Sequence, residues 1–219
     1  MRDRYSIVVG LLFAAVIAIA FASGIGDENG GGILGLDEKP DGWPLPEFAV
    51  PAAAGPEADA NVAQDDCETS GLPCPEGSRR TPACRISTPG AIRVCDFFDR
   101  PLVLSFWFTK GGDDCVGQQD VVEQAYARYR GRVSFLSLDV RDSRDTVQDI
   151  VREHGWTMPV GYDRDGAVAS LYRVGLCPTF AYVYPGGTLH KASIGTLTAG
   201  QLEARIEALL RATRAAEAS

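Results

Sequence analysis

Six cysteines, Cys67, Cys74, Cys84, Cys95, Cys115 and Cys177, are the side chains of this 219-residue sequence best suited to chemistry. A thiolate can attack a disulfide, ligate a soft metal or close a structural bridge. Spacing separates these uses. Zinc sites favour close pairs such as Cys-X-X-Cys, and no two of Cys67, Cys74, Cys84 and Cys95 stand that near. No metal is expected. These four sit in loop-like sequence and read as two structural disulfides. Four cysteines allow three connectivities, and loop closure favours the local pairs Cys67–Cys74 and Cys84–Cys95. Cys115 heads a stretch of helical periodicity, and Cys177 directly precedes Pro178. His154 and His190, at a helix end and in a strand, have no nucleophile near them and read as surface histidines. Gly111-Gly112 lacks the Gly-Lys-Ser/Thr ending of a phosphate loop. No cofactor is implied.

Bulk properties narrow the setting. Hydrophobic residues make up 45% of the chain and charged ones 23%, as in globular proteins. The net charge of -8 argues against a nucleic-acid partner, which would need clustered Lys and Arg. An even number of loop cysteines is common in oxidising compartments and uncommon in the cytosol. The N-terminus points the same way. Arg2 and Arg4 precede an uncharged apolar run, Ile7 to Ala22, of roughly 16 residues, between a signal-peptide core and a full span. Residues 1–23 are expected to form a signal anchor that keeps the arginines inside and the rest outside. Ala20-Phe21-Ala22 before Ser23 also offers a cleavage site, which would make the protein secreted. No cysteine follows closely enough to accept a lipid.

The elements that must position the cysteines come next. Residues 24–45, rich in Gly, Asp, Glu and Pro, read as a flexible linker. The domain should span 46–213, with an irregular, Cys-rich insertion at 51–90 and a tail at 214–219. Ala91 to Cys95 reads as a short strand. Pro101 to Trp107 (PLVLSFW) has the continuous apolar character of a strand buried on both faces. A helix should follow from Cys115 to Tyr129, then a strand from Val133 to Val140 and a helix from Thr146 to His154. A short helix is expected at Ala167 to Tyr172. Thr179 to Tyr184 and Leu189 to Ile194 flank Pro185-Gly186-Gly187, a hairpin signal. Thr198 to Thr213 is amphipathic, with Leu202, Ile206, Leu209 and Leu210 on one face. The order implies an α/β fold, a central mixed sheet flanked by helices.

Several local motifs now resemble the thioredoxin-like redoxins of the TlpA type, membrane-anchored thiol–disulfide proteins outside the bacterial cytoplasm. Pro46-Glu47-Phe48 is similar to the family's opening Pro-Asp-Phe. Arg100 to Trp107 resembles its lysine-proline strand ending in Phe-Trp. Pro159 to Asp163 and Leu171 to Val174 resemble the stretch ahead of its last hairpin, and Gly175 to Phe180 the segment holding its cis-proline. The likeness covers about Ala91 to Thr213, plus the piece around Phe48. It implies a thioredoxin-like fold, thiol–disulfide exchange, and extracytoplasmic protein thiols or disulfides as partners.

At the site itself the sequence departs from that pattern. Family chemistry uses Cys-X-X-Cys at a helix start, the first thiolate attacking and the second thiol resolving. Here Gly112-Asp113-Asp114-Cys115 has glycine in the attacking position, and Trp107 to Cys115 is one residue longer than usual. The resemblance places Cys177 beside Cys115, because the cis-proline loop lies next to the helix start. Three readings stay open: a non-standard redox pair, a static disulfide, or two unreactive thiols. Asp113 and Asp114 oppose a thiolate at Cys115, and the helix start favours it. Gly112, Pro178 and Thr179 would line the substrate side. Ser105 stands where thioredoxin keeps a proton-transferring Asp. Thr109-Lys110-Gly111-Gly112 has the peroxiredoxin Thr-X-X-Cys spacing but again no cysteine. Trp107 and Trp156 read as packing residues. The expected function is thiol–disulfide exchange through Cys115 and Cys177; the alternative is a redox-inactive binding module using the groove beside Pro178.

Overall fold

Two apolar stretches form the centre of the molecule, because a strand covered on both faces has no polar side to present. β4 (Leu102–Trp107) and β5 (Ser134–Val140) are buried throughout and run parallel, with Trp107 opposite Asp139 at their far ends. β6 (Val160–Asp163) continues in parallel beside β5. β7 (Thr179–Val183) and β8 (Leu189–Ile194) join antiparallel on the other side, giving the order β6-β5-β4-β7-β8. The sheet is therefore mixed, as expected. The structure is a computed structural model and describes residues 35–55, 63–64, 82–111 and 113–218, without the side chains of 63, 64, 111 and 113. The apolar N-terminal run, Cys67 and Cys74 lie outside the described residues. Among the described residues no helix is long and apolar enough to cross a membrane.

Parallel neighbours need crossovers, and two helices supply them. α1 (Asp113–Tyr129) links β4 to β5, and α2 (Arg144–His154) links β5 to β6. α2 is bounded by local chemistry: the Ser143 side chain accepts the Thr146 N–H, and Gly155 closes the helix at φ 67. α3 (Ala167–Leu171) precedes the loop to β7. α4 (Ala199–Glu217) starts on a Thr198/Gln201 capping box and runs beyond Thr213, so most of the segment read as a tail is helical.

Alternation along each strand splits the core in two. Val103, Phe135, Val160 and Phe180 face α1 and α4, meeting Val122, Ala125, Leu202 and Ile206. Leu104, Phe106, Leu136 and Leu138 face the other way, onto Phe48, Val50, Val94 and Tyr172. The buried Tyr172 hydroxyl donates to the Pro46 carbonyl at 2.6 Å.

The N-terminal part of the domain differs from the sequence reading. β1 (Phe48–Pro51) lies between β2 (Ala63–Gln64) and β3 (Ala91–Arg93) in a small antiparallel sheet, so the stretch 51–90 is not wholly irregular. β3 ends at Arg93, and Cys95 sits in a following 3-10 turn. The chain also packs from Gly35 onward, before the expected domain start: Leu36 and Leu45 are buried, and Lys39 lies over the Trp43 ring. Three apolar anchors spread over ten residues are too sparse to register as a period. Within this segment Gly42 and Leu45 donate to Leu189 and Gly187 on the β8 side, while Ala53 donates to Val160 of β6.

At Gly161 β1 crosses β6 so closely that a Cβ would lie 2.7 Å from Val50 Cγ2 and 3.3 Å from Leu138 Cδ1. Gly161→Ala is expected to cost about 1–3 kcal/mol of stability by urea denaturation. A loss under about 0.5 kcal/mol would mean that β1 yields freely.

Candidate functional site

The C-terminal ends of β4 and β5 and the start of α1 converge on one corner of the sheet. Trp107 ends β4, Thr109–Gly111 form a 3-10 turn, and α1 begins at Asp113 with Cys115 as its third residue. The first turn of a helix leaves backbone N–H groups unpaired, and the helix dipole favours negative charge there. Cys115 is buried. The loop before β7 brings Cys177 against it, and the two sulfurs are bonded, with Cα atoms 5.6 Å apart across 62 residues of sequence. Cys177 is half-buried, the more exposed residue of the pair.

The flanking groups fix this loop. The Cys177–Pro178 peptide bond is cis. Thr179 is buried and its hydroxyl donates to the Leu176 carbonyl at 2.6 Å. The Pro178 carbonyl accepts the Gly195 N–H at 2.9 Å. Leu176, directly before Cys177, is 61% exposed. Gly112 lies outside the described residues.

Two buried polar groups beneath this corner escaped the sequence reading. Gln119 follows Cys115 by one helical turn, on the same face of α1. Its Oε1 accepts from the Ser105 and Ser137 hydroxyls, both at 2.9 Å, while Trp107 Nε1 donates to Ser137 Oγ at 2.8 Å. Ser105 is thus one member of a neutral hydrogen-bonded cluster, and no carboxylate replaces the missing Asp within it. Gln118, the preceding residue, clamps α1 to the loop before α4, donating to the Leu197 carbonyl and accepting the Leu197 N–H.

The second group is acidic. Asp142 accepts the Thr109 N–H at 2.9 Å and the Thr109 hydroxyl at 2.7 Å, tying the turn before α1 to the end of β5. Asp142 also donates its own N–H to Asp139 Oδ1 at 3.2 Å. Asp139 is fully buried, and burial, reinforced by the neighbouring Asp142 and Asp163 charges, pushes its carboxyl up to about 8. The signal was present in the strand VSFLSLDV. Its odd positions Val133, Phe135, Ser137 and Asp139 share one face, and the polar pair falls at the site end.

Of the four cysteines read as structural, Cys84 and Cys95 are bonded to one another, with Cα atoms 5.8 Å apart. The Glu47 carboxylate accepts the Cys84 N–H at 3.2 Å, and its oxygen lies within 4.8 Å of both sulfurs. Joined in a disulfide, these sulfurs are not thiolate ligands. His154 bonds Asp120 at 2.9 Å and His190 bonds Tyr184 at 2.8 Å, each held by a neighbouring side chain. Trp107 and Trp156 stack edge to face with centroids 5.4 Å apart, a packing role as read.

No family model matches the chain. Thiol-disulfide oxidoreductase ResA from Oceanobacillus iheyensis is 27% identical over 113 residues, covering 51% of this chain and 58% of that protein. ResA from Geobacillus kaustophilus is 25% identical over 118 residues, or 53% of this chain and 67% of that protein. The matches thus span half of this chain and under two thirds of the Oceanobacillus protein. Among solved structures, a DsbF homologue from Corynebacterium diphtheriae superposes with a TM-score of 0.55 at 16% identity, covering 75% of this chain and 85% of that one. At that identity the likeness is one of fold, the thioredoxin-like arrangement.

Proposed function

We propose that the chain is a thioredoxin-like redoxin, similar to the ResA thiol-disulfide oxidoreductases, and that it carries out thiol–disulfide exchange with extracytoplasmic proteins through Cys115 and Cys177. The observation that supports this most is a disulfide between a buried cysteine at a helix start and a half-buried one in the loop before β7. That asymmetry assigns roles. A client thiolate attacks Cys177 Sγ, the Cys115–Cys177 bond breaks, and Cys115 leaves as a thiolate stabilised by the helix N-terminus. A second client thiolate then attacks the client sulfur of the mixed disulfide, releasing Cys177. The client gains a disulfide, and the pair takes up two electrons. Run backwards, the same steps reduce an oxidised client. In this scheme Cys177 replaces the cysteine that position 112 lacks, and Pro178 and Thr179 shape the docking side.

The N-terminal hydrophobic segment would hold the domain on the outer side of a membrane, or release it as a secreted protein if cleaved. Cys84–Cys95 would be a static staple for the insertion, together with Cys67 and Cys74. One observation favours the alternative, a redox-inactive binding module. Exposed Leu176 beside Pro178 offers an apolar contact independent of any thiol chemistry.

Disulfide mapping across graded redox buffers separates the two. Cys115–Cys177 is expected to open at a clearly higher potential than Cys84–Cys95, as labile bridges do. If the pair resists reduction as strongly as the staple, the exchange reading fails and the binding module takes its place.

A further inference from the structure

We propose that Asp139 is a positioning residue for the cysteine pair: the proton it shares with Asp142 latches the Thr109 turn, and losing that proton frees the start of α1 and speeds opening of the pair. The geometry carries this. Asp139 Oδ1 is occupied by the Asp142 N–H, but buried Oδ2 has no hydrogen-bond partner among the described residues. A buried acceptor with no donor is costly. Oδ2 becomes satisfied when it carries a proton, because it can then donate to the Asp142 carboxylate. A carboxylate has about four lone-pair sites, so Asp142 can take this bond as well as the two from Thr109.

The surrounding charges leave the proton as the main link between the two acids. From β6 comes Asp163, whose Oδ2 accepts the Ala169 N–H. From the segment after β5 come Asp142 itself and exposed Arg141, whose side chain lies over Gly166. α2 offers Arg144, which donates to the Gly55 carbonyl. α1 offers exposed Asp114, and the turn offers exposed Lys110. The groups that perturb Asp139 are the two acids, Asp142 and Asp163, and with burial they hold it protonated at neutral pH. Once ionised, Asp139 and Asp142 repel. Asp142 lines a cavity of about 340 Å³ with Phe108, Lys110 and Val174, so it has room to swing away. Thr109, six residues before Cys115, then loses both of its bonds to Asp142. This deepens the exchange reading and rests on it only for the effect on the cysteine pair.

Two measurements on the full chain test it. The first follows Thr109 amide hydrogen exchange in the wild type from pH 6 to 9.5, corrected for base catalysis. A rise of about tenfold centred near pH 8 is expected. Its absence overturns the latch, whatever the cysteines do. The second compares the rate at which dithiothreitol opens Cys115–Cys177 in the wild type and in Asp139→Asn, whose amide keeps a donor for Asp142 without the titration. Taking the ratio at each pH cancels the reagent's own ionisation. The ratio should climb about tenfold between pH 7 and 9. A flat ratio beside an intact Thr109 step overturns the coupling. A pair that stays closed at every pH, with the Thr109 step present, instead defeats the exchange reading and leaves the latch standing. The Thr109 titration needs no variant, so a poorly folding Asp139→Asn does not weaken it.

Discussion

Cys177→Ser is expected to abolish exchange, lowering the oxidation rate of a model dithiol peptide by about a thousandfold or more, because it removes the sulfur proposed to meet the client. Cys115→Ser should behave differently. It leaves Cys177 half-exposed and able to form a mixed disulfide, but without the neighbouring sulfur to which it is now bonded. Incubated with a disulfide-containing peptide, Cys115→Ser should accumulate a covalent adduct through Cys177, visible by intact mass. Cys177→Ser should give none. The contrast tests the roles and not merely the need for two sulfurs. If Cys177→Ser keeps its activity, or if the adduct forms through Cys115, the assignment is wrong. Both variants should also be less stable than the oxidised wild type, since a bridge across 62 residues is worth about 4 kcal/mol in the chain-entropy account.

The second large effect concerns stability against pH. The folded chain holds the Asp139 proton up to about pH 8, whereas an unfolded chain releases it at the ordinary carboxylate value near 4. Between those limits the native state binds more protons, so raising the pH erodes stability. The contribution is fully present below about pH 4 and is lost as pH rises through about 8. A shift of this size corresponds to a decline on the order of 6 kcal/mol. Asp139→Asn has no such proton to lose. By urea denaturation the variant should gain on the wild type from pH 5 to pH 9, while every other carboxylate cancels in the difference. An equal gap at the two pH values would show that Asp139 is ionised throughout.

Much of the architecture was legible because it depends on local pattern. β4 and β5 could be read from apolar runs that only a doubly covered strand requires. The β7–β8 hairpin followed from Pro185-Gly186-Gly187, and α4 from its apolar stripe. β1 could not be read this way. Its four residues, Phe48 to Pro51, acquire strand geometry through Pro51 opposite Ala91, forty residues away, and no local period announces such a pairing. The same limit applies to the site. Cys115 and Cys177 were brought together by resemblance to a family, not by any spacing between them. The bonds from Thr109 to Asp142 span 33 residues, and those from Gln118 to Leu197 span 79. Contacts of that kind are consequences of the assembled sheet. Even so, a lone Asp on the inward face of an apolar strand was a mark available in the sequence, since burying an unpaired carboxylate is expensive.

The segment from Gly42 to Ala53 has one more consequence. It donates hydrogen bonds at β8 with its first residues and at β6 with its last, so one stretch of chain guards both outer strands of the five-stranded sheet. Uncovered strand edges recruit other strands. A domain cut to begin after residue 53 would expose two such edges at once, on opposite sides of the same sheet. Copies could then add to one another from either side, which is the geometry of an open-ended polymer. These twelve residues therefore also act as the sheet's protection against self-association.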